Sequence, residues 1–105
     1  MTAEQKAHPR FDLAPELAHH VRFSIVAALA AVENLAFADL RDAVEVSDSV
    51  LSKQISELEK AGFVQVSKGF VGKRPRTTLS LTKDGLRRWR DHVEALRQIA
   101  AGPDV

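Results

Sequence analysis

The feature that most constrains the fold of this chain is the order of local patterns between residues 36 and 86. A short amphipathic segment, FADLRDAV, comes before a longer polar one, SDSVLSKQISELEKAG, and two β-type stretches follow around a basic loop, VQVSKGFVGKRPRTTLSL. Apolar residues recur at helical spacing in the first two segments and alternate with polar residues in the last. The order therefore predicts two short helices joined by a turn and followed by a β-hairpin.

The two short helices have clear limits in the sequence. The first is predicted over residues 37–44, and Glu45 and Val46 form the turn. Ser47 is a good N-cap for the second helix, because its hydroxyl can accept a hydrogen bond from a free backbone N–H of the first turn. Gly62 ends that helix, since glycine readily adopts the left-handed conformation that follows a helix C-terminus. The second helix is therefore expected to occupy residues 47–61.

The hairpin is predicted from residues 63–67 and 77–81, in which apolar and polar side chains alternate. Its inward residues are Val64, Val66, Leu79 and Leu81. Residues 68–76, KGFVGKRPR, are expected to form a loop, because they contain two glycines and a proline that cannot join a central strand. Phe70, an apolar ring in this loop, is expected to pack back onto the hairpin stem.

The chain before this run is predicted as an arm and a helix. Residues 1–11 are polar and contain Pro9, so we expect a flexible N-terminal arm. A helix is expected from near Pro15, since proline suits a first-turn position, to about Val32. Residues 12–105 are predicted as one α+β, mostly α domain, because 105 residues leave room for a single core.

Two apolar helix surfaces are not expected to be fully buried by other residues of one such domain. The first helix is apolar nearly all round, and the last helix, predicted over residues 82–101, has an apolar seam at spacings of 3 and 4. We therefore expect these N- and C-terminal helices to form a homodimer interface. The residues assigned to that interface are Phe23, Val26, Ala30, Leu86, Trp89, Val93 and Leu96. The alternative is that Trp89 packs onto the hairpin of its own chain.

Charge is distributed unevenly along the chain, although the net charge is only +1. Residues 1–50 carry four basic and eight acidic side chains, whereas residues 51–105 carry eleven and six. Six basic residues and no acidic residue lie between Lys60 and Lys83. Such a basic stretch favours an anionic partner. The alternative is a solvated loop with no partner.

Composition narrows the classes of function and the cellular location. The chain has no cysteine, which excludes disulfides, thiol redox sensing and thiolate metal sites. No stretch is long and uncharged enough to span a bilayer, and the start MTAEQKAHPRF lacks the apolar core of a signal peptide. We therefore expect a cytoplasmic protein associated with the nucleoid, if its anionic partner is DNA.

The pattern points to double-stranded DNA as that partner. A helix-turn-helix presents the start of its second helix to base edges, and short polar or basic side chains suit that position. The candidates on this helix are Ser47, Ser49, Ser52, Lys53 and Ser56. The basic loop suits phosphates, and its candidates are Lys68, Lys73, Arg74 and Arg76. The alternative for the serines is that they only solvate an exposed helix face.

The combined spacing resembles the winged helix-turn-helix of the MarR/ArsR superfamily of bacterial regulators. Short single-domain members read F-x-x-L, then S-x-x-x-L-S-x-x-[IL]-x-x-L-E-x-x-G-[FY]-[IV], then K-x-F-x-G-[RK]-[RK]-P-R-T, then L-T-x-x-G, and this chain follows that order over about 65 residues. The earlier HHVRFSIVAAL is similar to the arginine-bearing first helix of the group. The resemblance implies a transcriptional regulator that binds an operator as a homodimer, with helix 47–61 in the major groove and residues 64–81 as the wing.

Other functions have less support in the sequence. No Ser/His/Asp set has catalytic spacing and no phosphate-binding glycine loop opens a helix, so we predict neither an enzyme nor a cofactor. Only four histidines could bind metal, and the adjacent His19 and His20 would point about 100° apart on a helix, so no metal site is predicted. Two alternatives stay open: a winged helix used for protein contacts, and a ligand-responsive regulator with an effector site at the dimer interface.

Overall fold

The computed structural model describes residues 7–103. In chain order, its helices and strands are α1 (His20–Ala30), β1 (Leu35–Ala36), α2 (Phe37–Val44), α3 (Asp48–Lys60), β2 (Val64–Val71), β3 (Arg74–Leu81) and α4 (Lys83–Ala101). Two 3-10 turns, Pro9–Asp12 and Pro15–Ala18, come before α1. The strands form an antiparallel sheet in the order β1-β3-β2. The predicted order of helix, turn, helix and hairpin is confirmed, and the fold is a winged helix.

The region before α1 differs from the prediction. The expectation of one helix from Pro15 to Val32 is wrong, because Pro15–Ala18 is a 3-10 turn and His19 is extended, with φ −98° and ψ 121°. His19 caps α1 instead of continuing a helix: its Nδ1 accepts hydrogen bonds from two backbone N–H groups of the first turn, at 3.2 and 3.4 Å. These side-chain bonds replace the helical hydrogen bonds that a longer helix would have made.

Part of the expected N-terminal arm has local structure. Residues 7–11 are described, and the 3-10 turn Pro9–Asp12 lies against α4. The Nδ1 atom of His8 accepts a hydrogen bond from the Arg10 backbone N–H at 3.1 Å and caps this turn. Residues 1–6 lie outside the described residues. The described end of the arm therefore contacts the domain.

The wing is longer than predicted and its turn is shorter. β2 and β3 pair along their whole length, so the loop expected at 68–76 is reduced to Gly72 and Lys73. Gly72 has φ +62°, a backbone conformation that glycine adopts without strain. Pro75 lies in β3 opposite Phe70. A proline has no backbone N–H to donate to a neighbouring strand. It is tolerated at this position because β1 pairs with β3 only near the base of the wing, so the edge of β3 that faces away from β2 has no partner strand at residue 75.

Strand β1 was not predicted from the sequence. It has two residues, with Leu35 opposite Leu79 and Ala36 opposite Thr78. A strand this short shows no alternation that could be recognised without knowing its partner. It ties the start of α2 to the base of the wing.

The core is formed mainly by residues of α1, α2 and α3 that pack against the base of the sheet. Its fully buried large side chains are Ile25, Val26, Leu29, Leu40, Leu51, Leu58, Phe63 and Leu79. Val26 is one of the residues predicted for the dimer interface, but its side chain is 0% exposed within one chain. That premise of the dimer prediction is wrong for Val26, because the core encloses both sides of α1 at this level.

The joint between the wing and α4 is fixed by Thr82 and a close contact at Gly85. The Thr82 Oγ1 donates to the Gly62 carbonyl at 2.6 Å and accepts from the Gly85 backbone N–H at 2.8 Å. A side chain at Gly85 would overlap the backbone of Phe63, which explains why glycine follows threonine in the L-T-x-x-G motif. No helix within residues 7–103 is long and apolar enough to cross a membrane.

Candidate nucleic-acid interface

Helix α3 presents its predicted recognition face to solvent. Leu51, Ile55 and Leu58 are buried on its other side. All five polar candidates on this helix are exposed, namely Ser47, Ser49, Ser52, Lys53 and Ser56. Ser47 also caps the helix, since its Oγ accepts from the Val50 N–H at 3.2 Å. The remaining side chains of the face are available to a partner.

A buried glutamine holds α3 against α1, and sequence reasoning missed it. Gln54 is 7% exposed, and its Oε1 accepts a hydrogen bond from Nη1 of Arg22 at 2.9 Å. The Nε of Arg22 donates to the Glu16 carbonyl at 2.7 Å. The signal was present in the sequence, because residue 54 falls between Leu51 and Leu58 on the inward stripe, where a polar side chain needs a partner.

A second polar contact fixes the end of α3. The Arg88 guanidinium donates to the Ala61 carbonyl and to the Glu16 carboxylate, both at 2.9 Å. Its Cζ lies 4.0 Å from the centroid of the Phe63 ring. Arg88 thereby joins α4, the end of α3 and the 3-10 turn that holds Glu16. The recognition helix is held by polar contacts near its middle and at its C-terminal end.

A groove separates the recognition helix from the wing. It has a volume of about 610 Å³, and its lining includes Ser52 and Ser56 from α3 and Lys68 and Thr77 from the wing. Three hydroxyls and one ammonium group therefore border it. The carboxylate of Glu59 lies at the same groove, so its surface is not uniformly positive.

The four basic candidates of the wing lie on both of its faces. Paired residues of an antiparallel ladder share a face, and neighbours along a strand alternate. Lys68 pairs with Thr77 on the face toward the groove, whereas Arg76 borders a cleft on the opposite face. Arg74 alternates with Pro75 and lies on the Arg76 side, and Lys73 lies in the turn. All four side chains are exposed, so the structure leaves them accessible without placing them on one surface.

Phe70 does not have the environment predicted for it. Its side chain is 73% exposed, rather than packed on the hairpin stem. The reason is the length of the wing: β2 continues to Val71, so Phe70 lies near the tip, far along the ladder from the core residue Val64. The alternating pattern was interrupted by glycine in the sequence, which concealed this extension.

The turn of the helix-turn-helix is fixed by charged side chains. Nη1 of Arg41 lies 2.9 Å from the carboxylate of Asp48 at the start of α3, and its Nε lies 3.0 Å from that of Asp42. Hydrogen bonds to Asp48 and then Asp42 raise the pKa of Arg41. Glu45 ends α2 in the left-handed conformation, with φ 55°.

Three of the four histidines, His8, His19 and His92, accept hydrogen bonds through Nδ1. Nδ1 of His92 accepts from the Ala14 backbone N–H at 2.9 Å, in a buried contact between α4 and the N-terminal segment. Burial lowers the pKa of His92 below its ordinary value of 6.5. His19 and His20 stack with ring centroids 5.5 Å apart, because His19 is extended rather than helical. The expected 100° separation of these two side chains on a helix does not apply.

The predicted dimer seam is only partly exposed. Trp89 is half-buried and packs against Phe23 of α1, with ring centroids 5.0 Å apart, and against the core cluster of its own chain. Ala30 and Leu86 are also half-buried. Val93 and Leu96 remain exposed, at 39% and 38%. Within the predicted seam, the exposed apolar surface is therefore centred on these two residues of α4.

The fold and its polar helix face can be compared with known proteins. The model of the winged helix DNA-binding domain family matches residues 21–100. The chain belongs to this family. The chain is therefore a winged helix DNA-binding protein, a class that is not enzymatic.

Individual proteins show the same similarity. The winged helix chain is 26% identical over 80 residues to an uncharacterised protein of Methanocaldococcus jannaschii, covering 76% of this chain and 87% of that protein. A transcriptional regulator homologue from Pyrococcus horikoshii OT3 superposes with a TM-score of 0.78 at 24% identity, over 86% of this chain and 89% of that one.

Ligand-bound and MarR-family structures are also similar. NadR in complex with 4-hydroxyphenylacetate superposes with a TM-score of 0.69 at 26% identity, over 83% of this chain and 64% of that chain. The structural neighbours of this winged helix chain include MarR family transcriptional regulators. The resemblance to MarR-like regulators that the sequence motifs indicated is confirmed.

Proposed function

We propose that this winged helix chain binds specific sites in double-stranded DNA as a homodimeric transcriptional regulator. α3 lies in the major groove and the wing contacts the flanking backbone. One observation carries the proposal: the N-terminal half of α3 exposes short polar side chains and Lys53 opposite its buried stripe, with Val50 at the edge of that face, and a wing without acidic residues lies beside it. Short polar and basic side chains are suited to base edges, and cations are suited to phosphates.

The two sets of residues have different roles in this proposal. Ser49, Ser52, Lys53 and Ser56 face the base edges, where hydroxyls donate or accept and an ammonium group binds guanine or phosphate. Ser47 keeps its capping hydrogen bond and lies at the edge of the DNA major groove. The wing cations Lys68, Lys73, Arg74 and Arg76 bind phosphates, and their placement on both wing faces suits the two backbones that border a minor groove.

Dimerisation would supply the second half-site contact. Val93 and Leu96 are exposed along α4. In the proposed dimer a second copy covers them, and the two recognition helices lie about 34 Å apart, one turn of B-DNA. Phe23, Ala30, Leu86 and Trp89 support this surface from beneath, since each is half-buried within its own chain. A chromosomal operator places the protein in the cytoplasm, at the nucleoid.

A pocket beside this surface favours a second candidate function, control by a small molecule. Arg10, Ala14, His20, Phe23 and His92 are among its lining residues, and its volume is about 480 Å³. The pocket is largely apolar but has one guanidinium and two imidazoles, a set that suits a small aromatic acid. NadR was solved with 4-hydroxyphenylacetate, which is such a compound. A protein that releases its operator when an aromatic acid is added would support this function.

Selection from random-sequence duplexes tests the main proposal. Purified protein should enrich one site with two half-sites related by symmetry, about 10 base pairs between centres, and bind it with a Kd near 10⁻⁸ M or tighter. Replacing Ser52 by Ala or Lys53 by Gln should change the enriched sequence. Arg90→Gln removes one exposed charge from α4 and should not. The absence of any enriched duplex would contradict DNA recognition and leave the protein-contact alternative.

A further inference from the structure

An exposed apolar ridge near the tip of the wing has no role in the proposed phosphate contacts. Phe70 is 73% exposed, and its cross-strand partner is Pro75. The two residues share one face of the ladder, so together they present a phenyl ring and a pyrrolidine ring to solvent. An exposed phenyl group forgoes the free energy of removing its apolar surface from water, which favours burying it in a complex.

The position of the ridge points toward the groove beside the recognition helix. Phe70 lies two residues beyond Lys68 on the same strand, so both side chains are on the same face. Lys68 borders the groove shared with Ser52 of α3. The ring therefore extends the groove-facing side of the wing toward its tip, whereas Val71 alternates to the opposite face.

The charges around the ridge identify the partner. Lys68, Lys73, Arg74 and Arg76 are the charged residues of the two wing strands and their turn, and all are exposed. Binding of the ridge in an apolar groove of another protein would remove water from these cations without replacing it, which is unfavourable. A DNA minor groove instead has apolar sugar walls between two rows of phosphates, which can bind the cations. Phe and Pro are side chains that minor-groove proteins insert between base steps.

We propose that Phe70, supported by Pro75, enters the minor groove beside the α3 site and wedges against a base step, which widens the groove and bends the duplex. This inference rests on the proposed DNA binding and adds a specificity-determining residue to it. Because pyrimidine–purine steps deform most easily, the wedge selects TA or CA/TG at the flanking position, which neither α3 nor the phosphate-binding cations would read.

The test compares Phe70→Ala with Val71→Ser on the duplex that the wild-type protein selects. Both residues are exposed near the same tip, and they lie on opposite faces of the wing. Bending is measured by energy transfer between dyes at the duplex ends, and unstacking by fluorescence of 2-aminopurine at the flanking step. Wild type and Val71→Ser should bend the duplex and raise the fluorescence. Phe70→Ala should do neither, bind roughly tenfold more weakly and lose the preference for a flexible flanking step.

The possible outcomes separate this inference from the proposed function. A wild-type protein that binds no duplex contradicts DNA binding itself. A wild-type protein that binds its site while Phe70→Ala bends DNA and unstacks the step equally well overturns only the wedge. Equal losses in Phe70→Ala and Val71→Ser also overturn it, because they indicate a general effect of the wing tip. Circular dichroism and thermal unfolding establish that both variants keep the fold.

Discussion

Arg22 of α1 donates a hydrogen bond from Nη1 to Oε1 of Gln54, a buried residue of the recognition helix, at 2.9 Å. The same guanidinium donates from Nε to the carbonyl of Glu16, whose carboxylate receives Arg88 of α4. Through Glu16, a 3-10 turn outside the helix-turn-helix is connected to two arginines that contact α3 or its C-terminal end. Polar contacts, as well as apolar packing, thus set the orientation of the helix that we expect to meet DNA.

Arg22 and Gln54 should show energetic coupling. Arg22→Met leaves the buried Oε1 of Gln54 without its donor and should lower the free energy of unfolding by about 1–3 kcal/mol. Gln54→Leu removes the acceptor, so adding Arg22→Met to it should cost less than Arg22→Met alone. Urea unfolding of the four proteins of this cycle measures the difference, expected to be about 0.5–3 kcal/mol. Strictly additive effects would contradict the coupling.

His92 should make stability depend on pH. Its Nδ1 accepts the Ala14 N–H, so only the neutral ring fits, and burial lowers its pKa below 6.5. A lowered pKa in the folded state means that the contribution of His92 is complete above pH 6.5 and is lost as the pH falls through the folded-state pKa. Arg10 and His20 line the same pocket without an acidic residue among its lining side chains, so no carboxylate there offsets the charged ring.

The variant His92→Asn separates this titration from other effects of acid. Asparagine can offer an acceptor near the position of Nδ1 but does not titrate, so the fall in stability between pH 7 and 5 should become smaller. His8→Asn is the matched control, since His8 is exposed and accepts only a local hydrogen bond. Chemical unfolding at several pH values gives the comparison. An unchanged pH dependence in His92→Asn would assign the effect to other groups.

Gly85 should not tolerate a side chain. Alanine normally stabilises a helix by about 1 kcal/mol relative to glycine, but a Cβ at Gly85 would overlap the carbonyl of Phe63. Gly85→Ala should therefore destabilise the domain by about 1–3 kcal/mol, the usual cost of overpacking. At Gly69 a Cβ would meet no atom within 4 Å, so Gly69→Ala serves as the control. Thermal unfolding that shows Gly85→Ala to be neutral or more stable would contradict the close contact.

The proposed dimer should depend on Val93 and Leu96, the exposed large apolar residues of α4. Trp89→Asp would disturb the core of one chain, because Trp89 packs on Phe23, whereas Val93 and Leu96 are exposed. Val93→Glu combined with Leu96→Glu should give a folded monomer with much weaker operator binding, since the second half-site contact is lost. Val32→Glu adds an exposed charge at the end of α1 and should leave the dimer intact. Sedimentation of the wild type as a monomer at micromolar concentration would contradict the proposed interface.

The order of helices and strands between residues 36 and 86 could be predicted from the sequence because most of these elements carry a local signal. The limits of α2 match the prediction, and the Ser47 cap and Gly62 stop of α3 follow from side-chain and backbone preferences. The two-residue strand β1 depends on a partner strand far along the chain, so no local pattern reveals it. Helical spacing places Gln54 on the inward stripe, but its partner Arg22 lies 32 residues away and cannot be identified from a local pattern. The length of the wing was missed because glycine and proline interrupt the alternation of strands that nevertheless pair.

The predicted site residues likewise fall into two groups: those that a local pattern could place and those that depend on the rest of the fold. Helical spacing was sufficient to place the serines and Lys53 on an exposed face, because the apolar stripe of α3 fixes the opposite side. It was insufficient for Val26, since a helix that is apolar all round gives no indication of which face the same chain will cover. Wing charges are visible in the sequence, whereas their division between two faces requires the register of the hairpin.

The dependence of operator binding on salt tests the central claim most directly. The logarithm of the binding constant for the wild type should fall linearly with the logarithm of the salt concentration, with a slope of about −0.9 for each phosphate contact. Replacing Arg74 and Arg76 by Gln should make the slope shallower by about 0.9 per lost contact and weaken binding to all duplexes alike, while the preferred sequence is kept. Binding that is insensitive to salt, or a wing variant that changes the preferred sequence at the bases assigned to α3, would contradict the account.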